Sequence, residues 1–282
     1  MKDKEIAVIG SGTMGMAIAQ LILFKGYRVI TLTIEPIETG SKKMEELLNA
    51  SVNKNKITTS EKDMYFAQYR ITNDPEKLSE CYMAIEAIVE DLDEKIKCFQ
   101  MLDKICKDET IICTNTSSLS VTKLASITNR ADKIIGLHFF NPVISTKMVE
   151  IVTGLRVSEE TILECIEFVK SLDREFIVVQ DTPGFLVNYL QYAFRLNAIR
   201  MVERGIAKPS DIDKAAKLAL GHPMGPFELQ DMVGLDITYN AVSSIFEETK
   251  DLTFAPPVLL KRMVEAGYLG KKSGRGFYDY SK

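Results

Sequence analysis

A short apolar run that leads directly into a glycine-rich loop is the most constraining feature of the sequence. Residues 6–9 are apolar, and the loop Gly-Ser-Gly-Thr-Met-Gly follows at 10–15. An apolar, helix-like stretch begins at Met16, and Gly26 separates it from a second strand-like run at 27–33. Strand, G-x-G-x-x-G, helix and strand in this order are the fingerprint of a dinucleotide-binding unit. The order therefore predicts a Rossmann-type parallel α/β fold.

Each glycine of the loop has its own physical role. Gly10 permits the tight turn, Gly12 lets the backbone approach a pyrophosphate, and Gly15 allows close packing of helix against strand. The N–H groups at the start of the helix, near Thr13 and Met14, can bind phosphate oxygens. We expect these residues to bind the pyrophosphate of a dinucleotide.

The end of the second strand-like run bears on the choice between NAD and NADP. An Asp or Glu about twenty residues beyond the glycines usually bonds the adenosine ribose and repels a 2′-phosphate. Thr33 occupies this position. Glu35 would point to the same side if the strand continued, although Pro36 follows it. Lys42 and Lys43 come a little later, and no arginine follows at once. We expect NAD, and NADP remains an alternative.

Composition and charge narrow the class of protein. A chain of 282 residues fits two domains. The net charge of -4, with lysine and arginine scattered along the chain, argues against a nucleic-acid-binding protein. No apolar run reaches membrane-spanning length, and the charged start argues against a signal peptide. The five cysteines lack a C-x-x-C pattern, which favours reduced thiols without a metal site. We expect a cytoplasmic protein that binds neither membrane nor nucleic acid.

Strand-like and helix-like segments continue to alternate beyond the second strand. A helix-like segment at 93–106 carries apolar residues at three- and four-residue spacing. Further strand-like runs lie at 83–88, 110–114, 134–137 and 176–179. Such alternation predicts a doubly wound parallel sheet with helices on both faces.

The sequence changes character at residues 181–184, which read Asp-Thr-Pro-Gly. A long helix-like segment follows at 185–204, Ser210 with Asp213 resembles a capping box, and Pro226 suits a helix start. We therefore predict a Rossmann domain over 1–182 and a smaller, all-helical domain over 183–282.

One of the two histidines lies at the carboxyl end of the strand-like run at 134–137. His138 opens the segment His-Phe-Phe-Asn-Pro, and Glu150 follows twelve residues later. Histidine can take and give a proton near neutrality, and a carboxylate can hold its ring in one tautomer. The pair is a candidate acid/base dyad. The plainer interpretation is a buried, hydrogen-bonded structural histidine, which is how we read His222 in its Gly-His-Pro turn.

Polar residues follow the ends of three predicted strands. Glu90 follows one, Asn115 and Ser117 follow the next, and residues 138–141 follow a third. Ligands of open α/β sheets bind outside the carboxyl ends of the strands, so these groups should converge where a nicotinamide would lie. Alternatively, Asn115 and Ser117 cap the helix that starts near Ser120.

Six motifs, in the right order, resemble the L-3-hydroxyacyl-CoA dehydrogenases, and the short bacterial members are most similar. They read GSGTMG at 10–15, NTSS at 115–118, HFFNP at 138–142, DTPGF at 181–185, HPMGP at 222–226 and KSGRGFY at 272–278. The resemblance implies an oxidoreductase that moves a hydride between a nicotinamide cofactor and C3 of a short-chain 3-hydroxyacyl-CoA, such as 3-hydroxybutyryl-CoA. It also implies a homodimer formed through the helical domain.

The resemblance assigns roles to individual residues. His138 would be the base and acid, Glu150 would orient its ring, and Ser117 and Asn188 would lie near the reacting oxygen. The nicotinamide half of the cofactor would contact Glu90, Lys95, Asn115, Ser117, Asn141 and Lys272, and the CoA phosphates would contact Lys54 and Lys56. The plainer alternatives are local hydrogen bonding for Asn188 and a solvated face for the two lysines.

Two departures from the family pattern leave alternatives open. Thr33 replaces the acidic ribose ligand, and residues 143–146, Val-Ile-Ser-Thr, replace a second proline and apolar residues. Because of Thr33, an NADP-dependent enzyme that acts on another 3-hydroxy acid stays an alternative. The change at residues 143–146 can alter the preference for acyl-chain length. A non-catalytic nucleotide-binding protein, as among lens crystallins of the same family, is the other alternative.

Overall fold

The computed structural model describes residues 4–281, which form two compact units. The first unit ends at Asp181 and the second begins at Thr182. Within residues 4–281, no helix is long and apolar enough to cross a membrane.

One eight-stranded sheet forms the centre of the first unit. Its strand order is β3-β2-β1-β4-β5-β6-β7-β8. Neighbouring strands are parallel except β6 and β7, which are antiparallel. The strands are β1 (Glu5–Ile9), β2 (Arg28–Leu32), β3 (Tyr69–Thr72), β4 (Met83–Glu86), β5 (Ile111–Thr114), β6 (Ile134–Phe139), β7 (Met148–Thr153) and β8 (Glu175–Gln180).

Six α-helices of the first unit pack around this sheet. Their first turns are stabilised by local side chains: Thr58 and Glu61 form a capping box, and Asp91 and Ser158 each accept a bond from a backbone N–H of their helix. The helices are α1 (Thr13–Phe24), α2 (Ile37–Asn53), α3 (Thr59–Ala67), α4 (Leu92–Ile105), α5 (Val121–Ser126) and α6 (Glu159–Ser171).

The antiparallel pairing of β6 with β7 corrects the expectation of a parallel sheet. Only residues 140–147 connect the two strands. A parallel neighbour requires a crossover of about a dozen residues or more, whereas an antiparallel neighbour can follow a short loop. The short connection therefore returns β7 alongside β6. The doubly wound architecture with a helical second unit is otherwise as predicted.

The second unit is helical, with α7 (Val187–Glu203), α8 (Pro209–Leu218), α9 (Pro226–Val233), α10 (Leu235–Thr249) and α11 (Val258–Glu265). Its core is built from fully buried apolar side chains of these helices and the loops between them, including Leu196, Phe227, Val242, Phe254 and Leu260. Burial of this apolar surface is the main favourable contribution to the stability of the unit.

The predicted capping box at α8 is wrong. Helix α8 starts at Pro209, two residues before the start that a cap at Ser210 requires, and no side chain caps it. The carboxylate of Asp213 instead accepts bonds from the backbone N–H groups of Phe227, at 2.8 Å, and Glu228, at 3.1 Å. It also accepts one from the hydroxyl of Tyr278, at 2.7 Å. Asp213 therefore caps α9, which begins at Pro226 as predicted.

Candidate active site

The glycine loop has the shape that a pyrophosphate requires. An ideal Cβ on Gly15 would lie 2.0 Å from the carbonyl oxygen of Gly10, and one on Gly10, whose φ is +111°, would lie 2.6 Å from the carbonyl oxygen of Ala87. Side chains are thus excluded at both positions. At Gly12, by contrast, no described atom other than those of Gly12 and its two chain neighbours lies within 4 Å of an ideal Cβ. The open space above Gly12 fits a phosphate group.

The start of α1 supplies the donors for such a group. Gly12 is the N-cap of α1, and no side chain caps the helix there. Thr13 and Met14 therefore start the helix with backbone N–H groups that can face an anion. The loop residues predicted to bind a dinucleotide thus lie together at the start of α1, and their binding of a dinucleotide stays a prediction.

Ser11, Thr33 and Glu35 meet at the carboxyl end of β2. The hydroxyls of Ser11 and Thr33 lie 2.7 Å apart, and the Ser11 hydroxyl donates to Oε2 of Glu35 at 3.1 Å. The strand ends at Leu32, so the extended strand considered from the sequence is not formed. A bend brings Glu35 back instead, and its backbone N–H donates to the Thr33 hydroxyl at 3.0 Å.

Asn73, which the sequence analysis missed, holds this bend. It follows β3, the neighbour of β2. Its side-chain amide donates to the carbonyl oxygens of Thr33, at 2.5 Å, and Glu35, at 2.9 Å. The backbone around Thr33 and Glu35 is therefore fixed by a side chain from the adjacent strand end.

A buried ion pair joins Glu86, the last residue of β4, to Lys95 of α4. Glu86 and Lys95 are 0% and 1% exposed, and Nζ of Lys95 lies 2.6 Å from Oε1 of Glu86. Glu86 also accepts bonds from the backbone N–H of Ile88 and the hydroxyl of Thr114. These bonds satisfy the buried charge. Sequence reasoning missed Glu86, although an acidic residue inside the apolar run Met-Ala-Ile-Glu-Ala-Ile-Val was a signal.

Glu90 connects Lys95 to the loop after β5. Its Oε2 lies 3.2 Å from Nζ of Lys95, and its Oε1 accepts bonds from the hydroxyls of Thr116 and Ser118 and the backbone N–H of Ser117. Partial burial raises the pKa of Glu90, but Lys95 and these donors outweigh it and hold the pKa below its ordinary value. Glu90, Lys95 and Ser117 are therefore brought together, as predicted.

Asn115 joins the ends of β5 and β6. Its side-chain oxygen accepts a bond from the backbone N–H of Phe139 at 2.9 Å. The N-cap of α5 is Ser120, whose hydroxyl accepts from Lys123 N–H at 3.1 Å. The alternative in which Asn115 and Ser117 cap this helix is therefore wrong.

His138 and Glu150 are in direct contact. They are opposite residues of the β6–β7 pair, and Nδ1 of His138 lies 2.6 Å from Oε2 of Glu150. His138 is 6% exposed and Glu150 is fully buried. The ring of Phe140 packs on the imidazole with centroids 4.5 Å apart. A carboxylate accepts, so Nδ1 donates and the ring is held in a fixed orientation.

A cleft of about 440 Å³ in the first unit gathers further predicted residues. Both Lys54 and Lys56 line it, together with part of the segment after His138, including Asn141. The peptide bond between Asn141 and Pro142 is cis. The lining consists of Thr13, Ala17, Gln20, Leu47, Ala50, Ser51, Lys54, Lys56 and residues 141–145. The cleft thus places two cations next to the start of the glycine-loop helix.

Three remaining residues belong to the second unit. Asn188 lies in the first turn of α7. Lys272 forms an ion pair with Asp236, with 2.6 Å between Nζ and the carboxylate. The ring of His222 packs against Phe194 with centroids 5.0 Å apart, which agrees with a structural role.

Comparison with known families covers nearly the whole chain. A family model described as 3-hydroxyacyl-CoA dehydrogenase, NAD binding domain, matches residues 5–182. A second, described as 3-hydroxyacyl-CoA dehydrogenase, C-terminal domain, matches residues 184–280.

Individual relatives agree with the family models. The chain is 39% identical to a probable 3-hydroxybutyryl-CoA dehydrogenase of Bacillus subtilis, covering 100% of this chain and 99% of the relative. It is 39% identical to 3-hydroxybutyryl-CoA dehydrogenase of Clostridioides difficile, covering 99% and 100%. The crystal structure of (S)-3-hydroxybutyryl-CoA dehydrogenase from Ralstonia eutropha superposes with a TM-score of 0.96 at 36% identity, covering 99% and 100%.

A Rossmann unit that matches an NAD-binding domain, followed by a helical unit that matches the C-terminal domain of the same family, is the arrangement of a nicotinamide-dependent oxidoreductase. The chain belongs to the 3-hydroxyacyl-CoA dehydrogenase family. The resemblance drawn from the six motifs is therefore confirmed.

Proposed function

We propose that this protein is a 3-hydroxybutyryl-CoA dehydrogenase that interconverts 3-hydroxybutyryl-CoA and acetoacetyl-CoA, with NAD as the preferred cofactor. The contact between His138 and Glu150 is the single observation that carries the proposal. Full-length relatives named 3-hydroxybutyryl-CoA dehydrogenase support the choice of substrate.

His138 exchanges the proton of the C3 oxygen. Because Nδ1 contacts Glu150, we assign Nε2 to the substrate oxygen. In oxidation the imidazole takes the hydroxyl proton, and in reduction the imidazolium returns it. The Glu150 carboxylate stabilises the positive charge of the imidazolium. The nicotinamide, when bound, supplies or accepts the hydride at C3.

Two further residues are assigned to the reacting oxygen. Ser117 lies in the loop after β5, and its backbone N–H donates to the carboxylate of Glu90. Asn188 comes from the first turn of α7. Hydroxyl and amide donors stabilise charge that develops on the keto oxygen during reduction.

The glycine loop and the residues at the ends of the strands would hold the cofactor. Gly10, Gly12, Thr13, Met14 and Gly15 hold the pyrophosphate, and Thr33 with Glu35 lies at the adenosine ribose. The nicotinamide half is bound by Glu90, Lys95, Asn115, Ser117, Asn141 and Lys272. An ionised Glu35 next to Ser11 supports NAD over NADP.

Lys54 and Lys56 are assigned to the phosphates of CoA. The two lysines line the cleft beside residues 141–145, where they can pair with anionic groups as point charges. Residues 143–145 line the same cleft and are therefore assigned an influence on acyl-chain preference.

The assembled protein is proposed to be a homodimer formed by the helical unit. Leu190, Met232 and Ile237 are apolar and at least half exposed, and they lie on α7, α9 and α10. Contiguous exposed apolar patches mark interfaces between subunits, and these three side chains are our candidates for such a patch. Light scattering of the purified protein should give the mass of two chains, and the mass of one chain would contradict the proposed homodimer.

The reaction is tested by following nicotinamide absorbance in the reduction of acetoacetyl-CoA. The purified protein should turn over acetoacetyl-CoA with NADH, and more slowly with NADPH. Free acetoacetate has the same keto group without CoA, so it is the matched control and should react far more slowly. Binding of NADH without turnover of acetoacetyl-CoA would contradict the proposed reaction and favour a non-catalytic nucleotide-binding protein.

A further inference from the structure

We propose that Lys43 is a cation masked by Glu35, and that this pair decides whether the chain accepts NAD or NADP. The inference rests on the proposed function, because it assumes that the glycine loop binds a nicotinamide dinucleotide. Unmasking Lys43 would create a site for the 2′-phosphate of NADP.

Lys43 lies directly against the glycine loop. It belongs to α2, and its Nζ donates to Oε2 of Glu35 at 2.5 Å and to the carbonyl oxygen of Ser11 at 3.3 Å. Ser11 is the second residue of the loop, and it is 6% exposed. The ammonium group is thus positioned by two contacts, one of them to the loop backbone itself.

Glu35 is the acidic group at this end of the sheet. Bonds from Lys43 and from the Ser11 hydroxyl lower the pKa of Glu35, so the carboxylate is ionised at neutral pH. The side chains of Glu35 and Lys43 are 42% and 37% exposed. Both charges can therefore be reached by a ligand that enters over Ser11.

The side chain of Thr33 cannot discriminate between NAD and NADP. The residue is 4% exposed, and its hydroxyl is in contact with the hydroxyl of Ser11 and the backbone N–H of Glu35. It carries no charge that would repel or attract a phosphate. Discrimination between a ribose hydroxyl and a 2′-phosphate therefore depends on Glu35 and Lys43.

The two charges have opposite effects on a 2′-phosphate. With Glu35 ionised, a phosphate at the ribose is repelled by the carboxylate, and the Lys43 ammonium is already paired. Without the carboxylate, the ammonium that donates to the Ser11 carbonyl has no acidic partner at that position and can pair with phosphate oxygens. A neutral ribose diol is much less affected by either charge.

The test uses two nucleotides that do not depend on hydride transfer. Calorimetric titration with 5′-AMP and with adenosine 2′,5′-bisphosphate gives the ratio of their dissociation constants. The wild-type protein should bind 5′-AMP more tightly. In Glu35→Gln the ratio should move towards the bisphosphate by about tenfold to a hundredfold.

Further variants separate the two charges. Lys43→Met in the Glu35→Gln background should return the ratio of dissociation constants towards the wild-type value. Lys43→Met alone should bind the bisphosphate more weakly than the wild-type protein does, since the charge of Glu35 is then no longer offset by Lys43. Lys42→Met is the matched control, because Lys42 is the adjacent lysine of α2 and lies 3.9 Å from Glu46. It should leave the ratio at the wild-type value.

Two outcomes contradict the inference in distinguishable ways. An unchanged ratio in Glu35→Gln, or an equal effect of the Lys42 and Lys43 substitutions, overturns the masked-cation proposal and leaves the dehydrogenase proposal intact. Wild-type protein that binds neither nucleotide overturns the cofactor site, and with it both proposals.

Discussion

His138 and Glu150 are opposite residues on the antiparallel strands β6 and β7, and 2.6 Å separates Nδ1 from Oε2. Side chains of opposite residues project to the same face of a sheet. A register shift of one residue would turn Glu150 to the other face. The strand register, rather than a flexible side chain, therefore sets the geometry of the proposed acid/base pair.

The first prediction concerns Glu150→Gln, which keeps the shape of the side chain but removes its charge. Reduction needs a protonated His138, and the carboxylate stabilises that state. The turnover number for acetoacetyl-CoA reduction should therefore fall by about 10²- to 10⁴-fold in the variant. Steady-state kinetics of the two proteins at pH 7 measure the difference, and an unchanged turnover number would show that Glu150 does not support proton transfer by His138.

A second prediction concerns the buried pair of Lys95 and Glu86. Lys95→Met leaves the fully buried carboxylate of Glu86 without its cation. Breaking a buried pair from one side costs about 3–5 kcal/mol. Urea unfolding should therefore show a loss of this order in the free energy of unfolding.

The double variant Lys95→Met with Glu86→Gln is the control for this second prediction. It removes both charges together, so it should recover most of the lost stability. A double variant as unstable as Lys95→Met would indicate that packing, and not the unpaired charge, causes the loss.

The third prediction follows from the lowered pKa of Glu90. A carboxylate whose pKa is lower in the folded protein contributes stability above its ordinary pKa of 4.5, and that contribution is lost as the pH falls through the lower, folded value. Glu90→Gln should therefore be less stable than the wild-type protein at pH 7, and the gap should narrow below about pH 4.5.

Urea midpoints across this pH range measure the gap for Glu90. Glu46→Gln is the control, since Glu46 is 65% exposed and lies 3.9 Å from Lys42. Its midpoints should track the wild-type values. A constant gap between Glu90→Gln and the wild-type protein would contradict the third prediction.

Local patterns in the sequence predicted the glycine loop, six of the eight strands and the helical second unit. These features depend on short-range periodicity and on glycine positions. The two missed strands are β3 and β7, and the position of β7 depends on pairing with β6 and β8, which is a long-range property of the fold. The contact between His138 and Glu150 was nevertheless expected, because their residue types suit a dyad and the motif order resembles the family.

The sequence was less informative about charges that pair across elements. Glu86 stands in an apolar strand, and only the position of Lys95 on α4 explains it. Asn73 holds the bend at Thr33 and Glu35 from the end of another strand. Asp213 matched a local capping pattern but caps the neighbouring helix α9, because tertiary contacts outweigh a local preference of about 1 kcal/mol.

The most direct test of the account is the turnover number of His138→Gln in acetoacetyl-CoA reduction with NADH. Removal of the proton donor should lower it by about 10²- to 10⁴-fold. The dissociation constant for NADH, measured by fluorescence, should stay within about twofold of the wild-type value, since the glycine loop is untouched. His222→Gln changes the other histidine and should keep the wild-type rate. Undiminished turnover in His138→Gln would contradict the central claim that His138 moves the proton.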